Sequence, residues 1–284
     1  NDSRFRYYKN ESNLGMVKSF NRALSLAKGE FVVMVTDDDP VYPNMLEDLL
    51  GLAEKYPAYG MFIGSHDTNY TKLWLAELSG LNPGIHSGLS RHEIGHIRTV
   101  EANQFVRSFC RDDFGGGILW SSAIVRRELV LKVGGVPDYG TPFLSDAAYL
   151  IICGAQKGAV FLNKAVGCQT VHGNNYSYAN SNYDYLELAP KAFYEFIGKK
   201  MPQTRDADTD RLVRSYIGKT LTTYFISLHN ILSTVKMENQ SFKLTMAAIY
   251  RWEVMRKWKL KYQIATGWPK LFELLLQIKK LLKG

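Results

Sequence analysis

The sequence has no apolar run of about 18 residues, and this absence excludes a conventional membrane-spanning helix. It is also poor in cysteine: Cys110, Cys153 and Cys168 are widely separated and include no C-x-x-C pair. A disulfide framework or a structural zinc site is therefore not expected, and a reducing cytoplasm fits this usage. The chain starts at Asn1 without a signal peptide or an initiator methionine, so we expect a piece of a longer protein.

Acidic residues are scarce in the last third of the chain. The whole chain has a net charge of +8. Residues 1–200 contain 20 basic and 21 acidic side chains, whereas residues 201–284 contain 15 basic and 6 acidic side chains. This asymmetry favours contact with an anionic surface, either a membrane or a nucleic acid. No nucleic-acid recognition motif accompanies the charge, so we expect no nucleic-acid partner.

Apolar periodicity in the first 55 residues predicts alternating strands and helices. A strand at Arg4–Lys9 precedes a helix at Leu14–Ala27, and a buried strand at Phe31–Val35 precedes a helix at Asn44–Lys55. This order predicts an α/β fold with parallel strands. Ligands bind such sheets at the carboxyl ends of the strands, where Asp37–Asp39 fall.

The rest of the chain is predicted as shorter segments followed by a long helical region. Residues 65–114 have mixed polarity and predict an irregular excursion that faces the substrate. The further elements are a strand at 61–64, helices at 118–133 and 145–155, a strand at 159–162, and helices from about residue 183 onward.

Three adjacent carboxylates, Asp37, Asp38 and Asp39, follow Thr36 at the end of the predicted buried strand. Such like charges repel, and proteins tolerate them when a hard cation or a cationic ligand compensates. Mg²⁺ or Mn²⁺ binds one or two carboxylates and completes its coordination shell with water and substrate phosphates. The alternative is a solvated acidic turn that caps the helix after Pro43, and these residues alone favour neither interpretation.

The residues around the acidic cluster form a longer pattern, which comprises Asn13-x-Gly15, Asn21-x-Ala23, Ala27-x-Gly29-Glu30-Phe31 and Thr36-Asp37-Asp38-Asp39-x-x-x-Pro43. In order and spacing this pattern resembles the family 2 glycosyltransferases of bacterial type, which have the GT-A fold. The similarity extends to Gly115-Gly116-Gly117, Arg126-Arg127, Gly134-Gly135-Val136 and Val171–Ser177, so it spans about residues 5–180.

The resemblance implies a GT-A mixed sheet flanked by helices in residues 1–182. The helical pattern and the basic excess of the remaining residues predict a helical, basic, amphipathic region in residues 183–284. Members of the family normally begin with a strand, a helix and a second strand ahead of the segment that opens this chain. Those elements hold part of the nucleotide site. We therefore expect an N-terminally truncated domain that lacks the first strands.

The resemblance also implies a divalent-metal site. The family's metal-contacting aspartate corresponds to Asp38, and Asp39 and His172 are further candidate ligands of Mg²⁺ or Mn²⁺. For His172 the alternative is a loop histidine whose hydrogen bonds are satisfied within the protein.

The nucleotide pocket is implied by residues N-terminal to that site. Asn13, Gly15 and Asn21 fall where the family lines the nucleotide, and the absence of a side chain at Gly15 permits close backbone approach. Asp37 would contact the ribose or assist the metal.

Asp146 occupies the place of the family's catalytic base. It would deprotonate an acceptor hydroxyl as that oxygen attacks the anomeric carbon. Ser145 stands where the family has a glutamate, and the arginine often found one or two turns later is missing from Ala147–Cys153. The alternative for Asp146 is an aspartate that stabilises the start of a helix after Ser145.

The implied activity is inverting, metal-assisted transfer of a sugar from a nucleotide-diphosphate donor to a hydroxyl of a saccharide or lipid-linked acceptor, as in polysaccharide biosynthesis. The alternative is a non-catalytic module that binds a sugar nucleotide or a saccharide.

A competing motif, His92-Glu93-Ile94-Gly95-His96, matches the H-E-x-x-H signature of zinc metalloproteases. Such a site needs the motif on a helix and a third ligand further along the chain. Gly84 and Gly88 precede the motif and no suitable third ligand follows, so we expect a polar loop or short helix near the acceptor.

The last 35 residues combine basic and apolar side chains. Tyr250–Lys261 places Trp252 and Trp258 among five basic residues, and Pro269–Leu282 places leucines on one helical face. Such segments lie on anionic membranes, so we expect residues 250–284 to contact the inner face of the cell membrane. The alternative is a helical bundle that packs on the catalytic domain or on a second copy of the chain.

Overall fold

The computed structural model describes residues 3–79, 81–114, 118–173, 175, 183–201, 206–234 and 240–281. Its strands are β1 (Phe31–Val32), β2 (Met61–Tyr70), β3 (Gly84–His86), β4 (Ile97–Val100), β5 (Ala123–Arg126) and β6 (Ala159–Val171). Within the described residues they form one sheet of order β1-β5-β2-β6-β4, with β3 paired to the carboxyl end of β2. The pair β2–β6 is parallel and the other pairs are antiparallel.

Helices flank this sheet and make up most of the second half of the chain. They are α1 (Met16–Leu26), α2 (Met45–Lys55), α3 (Leu73–Leu78), α4 (Ala102–Arg111), α5 (Arg127–Val133), α6 (Ser145–Lys157), α7 (Tyr183–Lys200), α8 (Ala207–Thr234), α9 (Gln240–Ile249), α10 (Glu253–Arg256), α11 (Lys259–Gly267) and α12 (Pro269–Leu281). The predicted α/β architecture, a mixed sheet flanked by helices, is confirmed.

The first four residues of each of the two central strands are apolar because both faces of the sheet are covered there. Met61, Phe62 and Ile63 of β2 have no exposed surface, and neither do Ala159 and Val160 of β6. One face packs on α2, and the other face packs on α4 and α6. Side chains inaccessible on both faces explain why these strands read as continuous apolar runs rather than as an alternating pattern.

The helical region shares the larger of the two cores. Phe193 of α7, Phe225 of α8 and Phe242 of α9 are fully buried and belong to the same apolar cluster as Met61 and Ile63. The contact runs through α6, most of whose residues are buried. The division of the chain at residue 182 into a catalytic domain and a helical region stays a prediction.

Four local predictions from the sequence are wrong. Residues 4–9 form no strand, and the predicted strand at Phe31–Val35 is reduced to two residues that pair with β5. Residues 118–133 are not one helix, since β5 interrupts them before α5, and residues 65–114 contain α3, β3, β4 and α4. Short apolar segments do not distinguish a strand from a helix, and the available pairing partners decide the outcome.

None of the helices in the described part of the chain is long and apolar enough to cross a bilayer.

Candidate active site

The directions of the strands bring the predicted site residues to one edge of the sheet, the edge at which β2 and β6 end. Strands β2 and β6 are parallel, and β1 runs in their direction because β5 is antiparallel to both β1 and β2. The acidic turn after β1 therefore lies at the edge where β2 and β6 end. Helix α6 precedes β6 and returns the chain to the opposite edge, so its first turn, with Asp146, starts at that same edge.

The acidic turn is fastened to β6 by main-chain hydrogen bonds. The Cys168 amide donates to the Pro40 carbonyl at 2.9 Å, and the Tyr42 amide donates to the Val166 carbonyl at 2.9 Å. The Asp39 carboxylate accepts the Thr170 amide at 2.8 Å. These bonds hold the turn against β6, which ends at Val171, directly before His172.

Asp38 and His172 form the polar centre of this edge. His172 Nε2 lies 3.3 Å from Asp38 Oδ2, and the side chains of both are about one-third exposed, at 30% and 31%. Asn175 donates from Nδ2 to the same Asp38 oxygen at 3.3 Å and to the Thr170 carbonyl at 2.8 Å. Its Oδ1 accepts the His172 amide at 3.0 Å. Asn175 therefore orients both the histidine and the carboxylate.

The two neighbouring carboxylates have opposite pKa shifts. Partial burial acts to raise the pKa of Asp38, but interactions with Thr36 and His172 outweigh it and leave that pKa below its ordinary value. The Thr36 hydroxyl is close to the carboxylate without reaching the geometry of a full hydrogen bond. Asp39 is only 8% exposed, and burial raises its pKa despite the Thr170 amide. Of the two carboxylates, Asp38 is therefore the one that stays deprotonated and negatively charged to lower pH.

The donor set at this edge suits an open metal site. Asp38 and His172 converge, whereas one oxygen of Asp39 already accepts a hydrogen bond from Thr170. In the described parts of the chain no three His, Cys, Asp or Glu side chains gather as a closed site. A divalent cation that takes one or two carboxylates and fills its remaining positions with phosphate and water needs no more protein ligands than these.

The candidate nucleotide residues have different positions. Asn13 is exposed and accepts the Gly15 amide at 2.9 Å, and Gly15 has a φ of 75° at the start of α1. Asp37 is exposed beside Asp38. Asn21 instead forms two hydrogen bonds with the main chain of Val136: its Nδ2 donates to the Val136 carbonyl at 2.9 Å, and its Oδ1 accepts the Val136 amide at 2.7 Å. These bonds connect α1 to the segment after α5.

Asp146 begins α6 in a very different environment. Its side chain is exposed to solvent at the first turn of α6, although many protein atoms lie around the carboxylate. One carboxylate oxygen accepts the Ala147 amide at 2.8 Å. Burial raises the pKa of Asp146 above its ordinary value. A solvent-accessible carboxylate with a raised pKa is suited to accept a proton.

Two polar contributors were not identified from the sequence. Asn175 lies in the segment that carries the family resemblance, so this segment was the available signal. Asp67 accepts the Tyr42 hydroxyl at 2.8 Å and the Gly88 amide at 3.3 Å, and thereby links the end of β2 to the acidic turn. No local pattern marks Asp67, because its partners are distant in sequence.

The H-E-x-x-H segment lacks the geometry of a zinc protease. Residues 91–96 form bends and turns instead of a helix, and His92, Glu93 and His96 are exposed. The two imidazole rings stack with centroids 4.8 Å apart. Asn163 is fully buried and donates to the carbonyls of His92 and Glu93, at 2.7 Å and 3.1 Å. The protease alternative is therefore corrected to an exposed polar turn.

Some residues of the family pattern lie outside the described part of the structure. These are Gly115, Gly116 and Gly117, and, in the segment after His172, residue 174 and residues 176 and 177.

Comparison with known proteins gives one family-model match and two structural likenesses. Residues 1–130 match the family model described as glycosyl transferase family 2. The Staphylococcus aureus (S. aureus) protein TarS, residues 1–349, is 13% identical with a TM-score of 0.46, over 88% of this chain and 72% of that chain. The mannosyltransferase PcManGT from Pyrobaculum calidifontis, in complex with GDP-Man and Mn²⁺, is 15% identical with a TM-score of 0.40, over 92% of this chain and 68% of that chain.

No curated protein sequence shows a significant match. The two structural likenesses are too distant to assign a substrate to this chain. The family match covers the acidic turn and the pattern that precedes it, from Asn13 to Pro43. Residues 1–130, a little under half of the chain, are thus similar to glycosyl transferase family 2, and this similarity supports a glycosyl-transfer function.

Proposed function

We propose that the chain transfers a sugar, with inversion, from a nucleotide-diphosphate donor to a hydroxyl group of a saccharide or lipid-linked acceptor. The observation that carries this proposal is the pair of carboxylates at one edge of the sheet, Asp38 and Asp146, whose surroundings shift their pKa values in opposite directions. Paired groups of this kind divide the chemical roles, one staying charged and the other exchanging a proton.

Asp38 and His172 would hold Mg²⁺ or Mn²⁺, with Asp39 as a weaker candidate because of its bond to Thr170. The cation, when bound, supplies positive charge to the departing diphosphate. Asn175 keeps Asp38 and His172 in a common orientation. Loss of such an orienting partner typically weakens metal binding.

Asp146 would accept the proton of the acceptor hydroxyl. The acceptor oxygen then attacks the anomeric carbon from the face opposite the diphosphate, a new C–O bond forms, and the bond to the diphosphate oxygen breaks. A single displacement of this kind inverts the anomeric configuration. The raised pKa of Asp146 strengthens it as a base relative to an ordinary aspartate.

The donor would lie between the acidic turn and the start of α1. Gly15 offers main chain without a Cβ at the first turn of α1, where amide groups favour anions. Asn13 and Asp37 are exposed at this side and could contact the ribose or the base. For Asn21 the bonds to Val136 support a positioning role at the edge of this pocket.

The acceptor chemistry is supported by the far end of the chain. Leu271, Leu274, Leu275, Leu276 and Ile278 of α12 are each more than 40% exposed. Basic residues precede them in α10 and α11 and in Lys270. A helix that exposes leucines beside lysines and arginines favours an anionic bilayer surface, which would suit a lipid-linked acceptor.

Isothermal titration tests the donor and metal part of the proposal. UDP, GDP and dTDP are titrated into the protein with and without Mn²⁺, for the wild type and for Asp38→Ala. We expect metal-dependent binding of one diphosphate and loss of that binding in the variant. Equal affinity with and without Mn²⁺ in the wild type would contradict the metal site.

Turnover tests the catalytic part, measured as release of nucleoside diphosphate from UDP-, GDP- and dTDP-sugars with water as acceptor. The proposal expects turnover with the sugar nucleotide whose diphosphate binds. Metal-dependent binding without turnover, also after addition of lipid vesicles and saccharides, would support the non-catalytic binding module instead.

A further inference from the structure

The segment Tyr139–Leu144, called the base loop below, leads directly into the first turn of α6 and Asp146. Leu144 has a φ of 64°, a left-handed conformation that is unfavourable for a residue with a Cβ atom. Within the loop, the Tyr139 hydroxyl donates to the Phe143 carbonyl at 2.8 Å. Strained backbone persists where surrounding contacts determine it, and such positions are common at functional sites.

Helix α7 holds one side of the base loop. The ring of Tyr139 lies 5.3 Å, centroid to centroid, from the ring of Phe196. The Thr141 hydroxyl is buried and donates to the Tyr185 carbonyl at 3.2 Å. At Gly140 a Cβ atom would meet a methyl group of Leu188 at 3.2 Å, so the loop lies directly against the helix.

Helix α8 holds the other side. The ring of Phe143 packs on the ring of Tyr224, with centroids 5.5 Å apart. Tyr216, two turns earlier on α8, lies near Asp146 itself. Burial, and then the negative charge of Asp146, raise the pKa of Tyr216 and the pKa of Tyr139. Two phenol groups, one from the base loop and one from α8, therefore lie within electrostatic range of the carboxylate.

We propose that α7 and α8 position the catalytic base through the base loop, with Tyr139 and Phe143 as positioning residues. This inference rests on the proposed role of Asp146 in the reaction. The Asp146 carboxylate accepts the amide of the next residue, so its direction follows the start of α6 and the loop before it. A displacement of about 1 Å in a reacting group can cost on the order of 100-fold in rate.

The geometry gives these helices a role beyond covering the sheet. Both contacts act on the residues that immediately precede the base, whereas the acidic turn with Asp38 is held by β6. Disturbing the base loop should therefore slow the chemical step and leave binding of metal and nucleoside diphosphate unchanged.

The test uses two variants in the full chain. Tyr139→Phe removes the hydrogen bond to the Phe143 carbonyl and keeps the ring, and Phe143→Leu removes the ring contact with Tyr224. The control Thr222→Val removes another buried hydrogen bond of α8, the one that Tyr250 donates at 3.1 Å, and leaves the side chains of the base loop unchanged. The probe reaction is Mn²⁺-dependent hydrolysis of the sugar nucleotide that the wild type turns over.

We expect a fall in kcat of about 3-fold to 30-fold in each base-loop variant, the size of one lost contact. The KM for the sugar nucleotide and the affinity for Mn²⁺ with the diphosphate should stay within about 2-fold, and the acid limb of the kcat profile should move. Thr222→Val should lower the melting temperature without changing kcat or the profile.

Two results would overturn the inference. One is a wild-type kcat and pH profile in both base-loop variants. The other is a loss of activity that follows the melting temperature equally in all three proteins, since this indicates a purely structural effect. If Asp146→Asn retains turnover, the proposed base itself is wrong. If Asp146→Asn is inactive while the base-loop variants behave as the wild type, only the positioning inference fails.

Discussion

Asp38 and Asp146 are the same residue type at the same edge of the sheet, yet their surroundings differ in kind. Asp38 sits in a turn fastened to β6 and faces polar groups, His172 and Asn175. Asp146 starts a largely buried helix, and its charge acts on two tyrosines, Tyr139 and Tyr216. Polar partners stabilise the charged carboxylate and burial opposes it, which is why the two pKa shifts have opposite signs.

The difference indicates a division of labour. A carboxylate that stays charged suits a cation, and one whose pKa is raised suits proton transfer. The two are also supported by different parts of the molecule, Asp38 by the sheet and Asp146 by the helical region. Substitutions at the two positions should therefore fail in different ways.

The largest expected effect is that of Asp146→Asn. The amide keeps the shape and the hydrogen bond to Ala147 but accepts no proton, so kcat for sugar-nucleotide hydrolysis should fall by about 10²-fold to 10⁴-fold. Binding of diphosphate and Mn²⁺ should be retained in titrations. Asp208→Asn, an exposed aspartate paired with Arg211, is the matched control and should be fully active. A turnover above one-tenth of the wild-type value would remove Asp146 from the base role.

His172→Ala should impair binding, which is the reverse of the loss of kcat with retained binding expected for Asp146→Asn. Loss of a candidate ligand that contacts Asp38 should weaken Mn²⁺-dependent diphosphate binding by about 10-fold to 100-fold. His96→Ala, in the exposed turn, is the control and should bind as the wild type does. Stoichiometric zinc in the wild type that disappears in His96→Ala would instead restore the metalloprotease alternative.

The pH dependence of kcat distinguishes the two carboxylates further. Asp146 works only when deprotonated, and its pKa is raised, so the acid limb should lie at a higher pH than an ordinary aspartate would give. Below that limb the rate should fall about tenfold for each pH unit. Metal-dependent binding should persist to lower pH, because the pKa of Asp38 is lowered. Acid limbs at the same pH for kcat and for metal-dependent binding would contradict separate roles for Asp146 and Asp38.

The smallest expected effect is on stability at neutral pH without metal. A raised folded-state pKa means that deprotonated Asp146 disfavours the fold above the ordinary pKa, so Asp146→Asn should melt at or slightly above the wild-type temperature. A lowered pKa means that Asp38 adds stability above that pH and loses it as the pH falls, so Asp38→Asn should melt about one or two degrees lower. Calorimetry at pH 7 measures the order of the two melting temperatures. A lower value for Asp146→Asn than for Asp38→Asn would contradict both directions of pKa shift.

Parts of the fold could be predicted because they depend on local pattern. The helices at 16–26 and 45–55 and the start of α6 follow from apolar spacing and from Pro43. The strand β5 could not be predicted, because its four residues read equally well as the first turn of a longer helix. Its pairing with Val32 and with Met61 makes this segment a strand, and those partners are distant in sequence.

For the candidate site the division is similar. The positions of the charges, the order of the family pattern from Asn13 to Pro43 and the basic excess of the last third can be read from the amino-acid order alone. The contact of His172 with Asp38, the bonds of Asn21 to Val136 and the packing of α7 and α8 on the loop before Asp146 become known only from the folded chain. Charge and local pattern belong to each residue, whereas pKa shifts and contacts arise when distant segments pack together and exclude water.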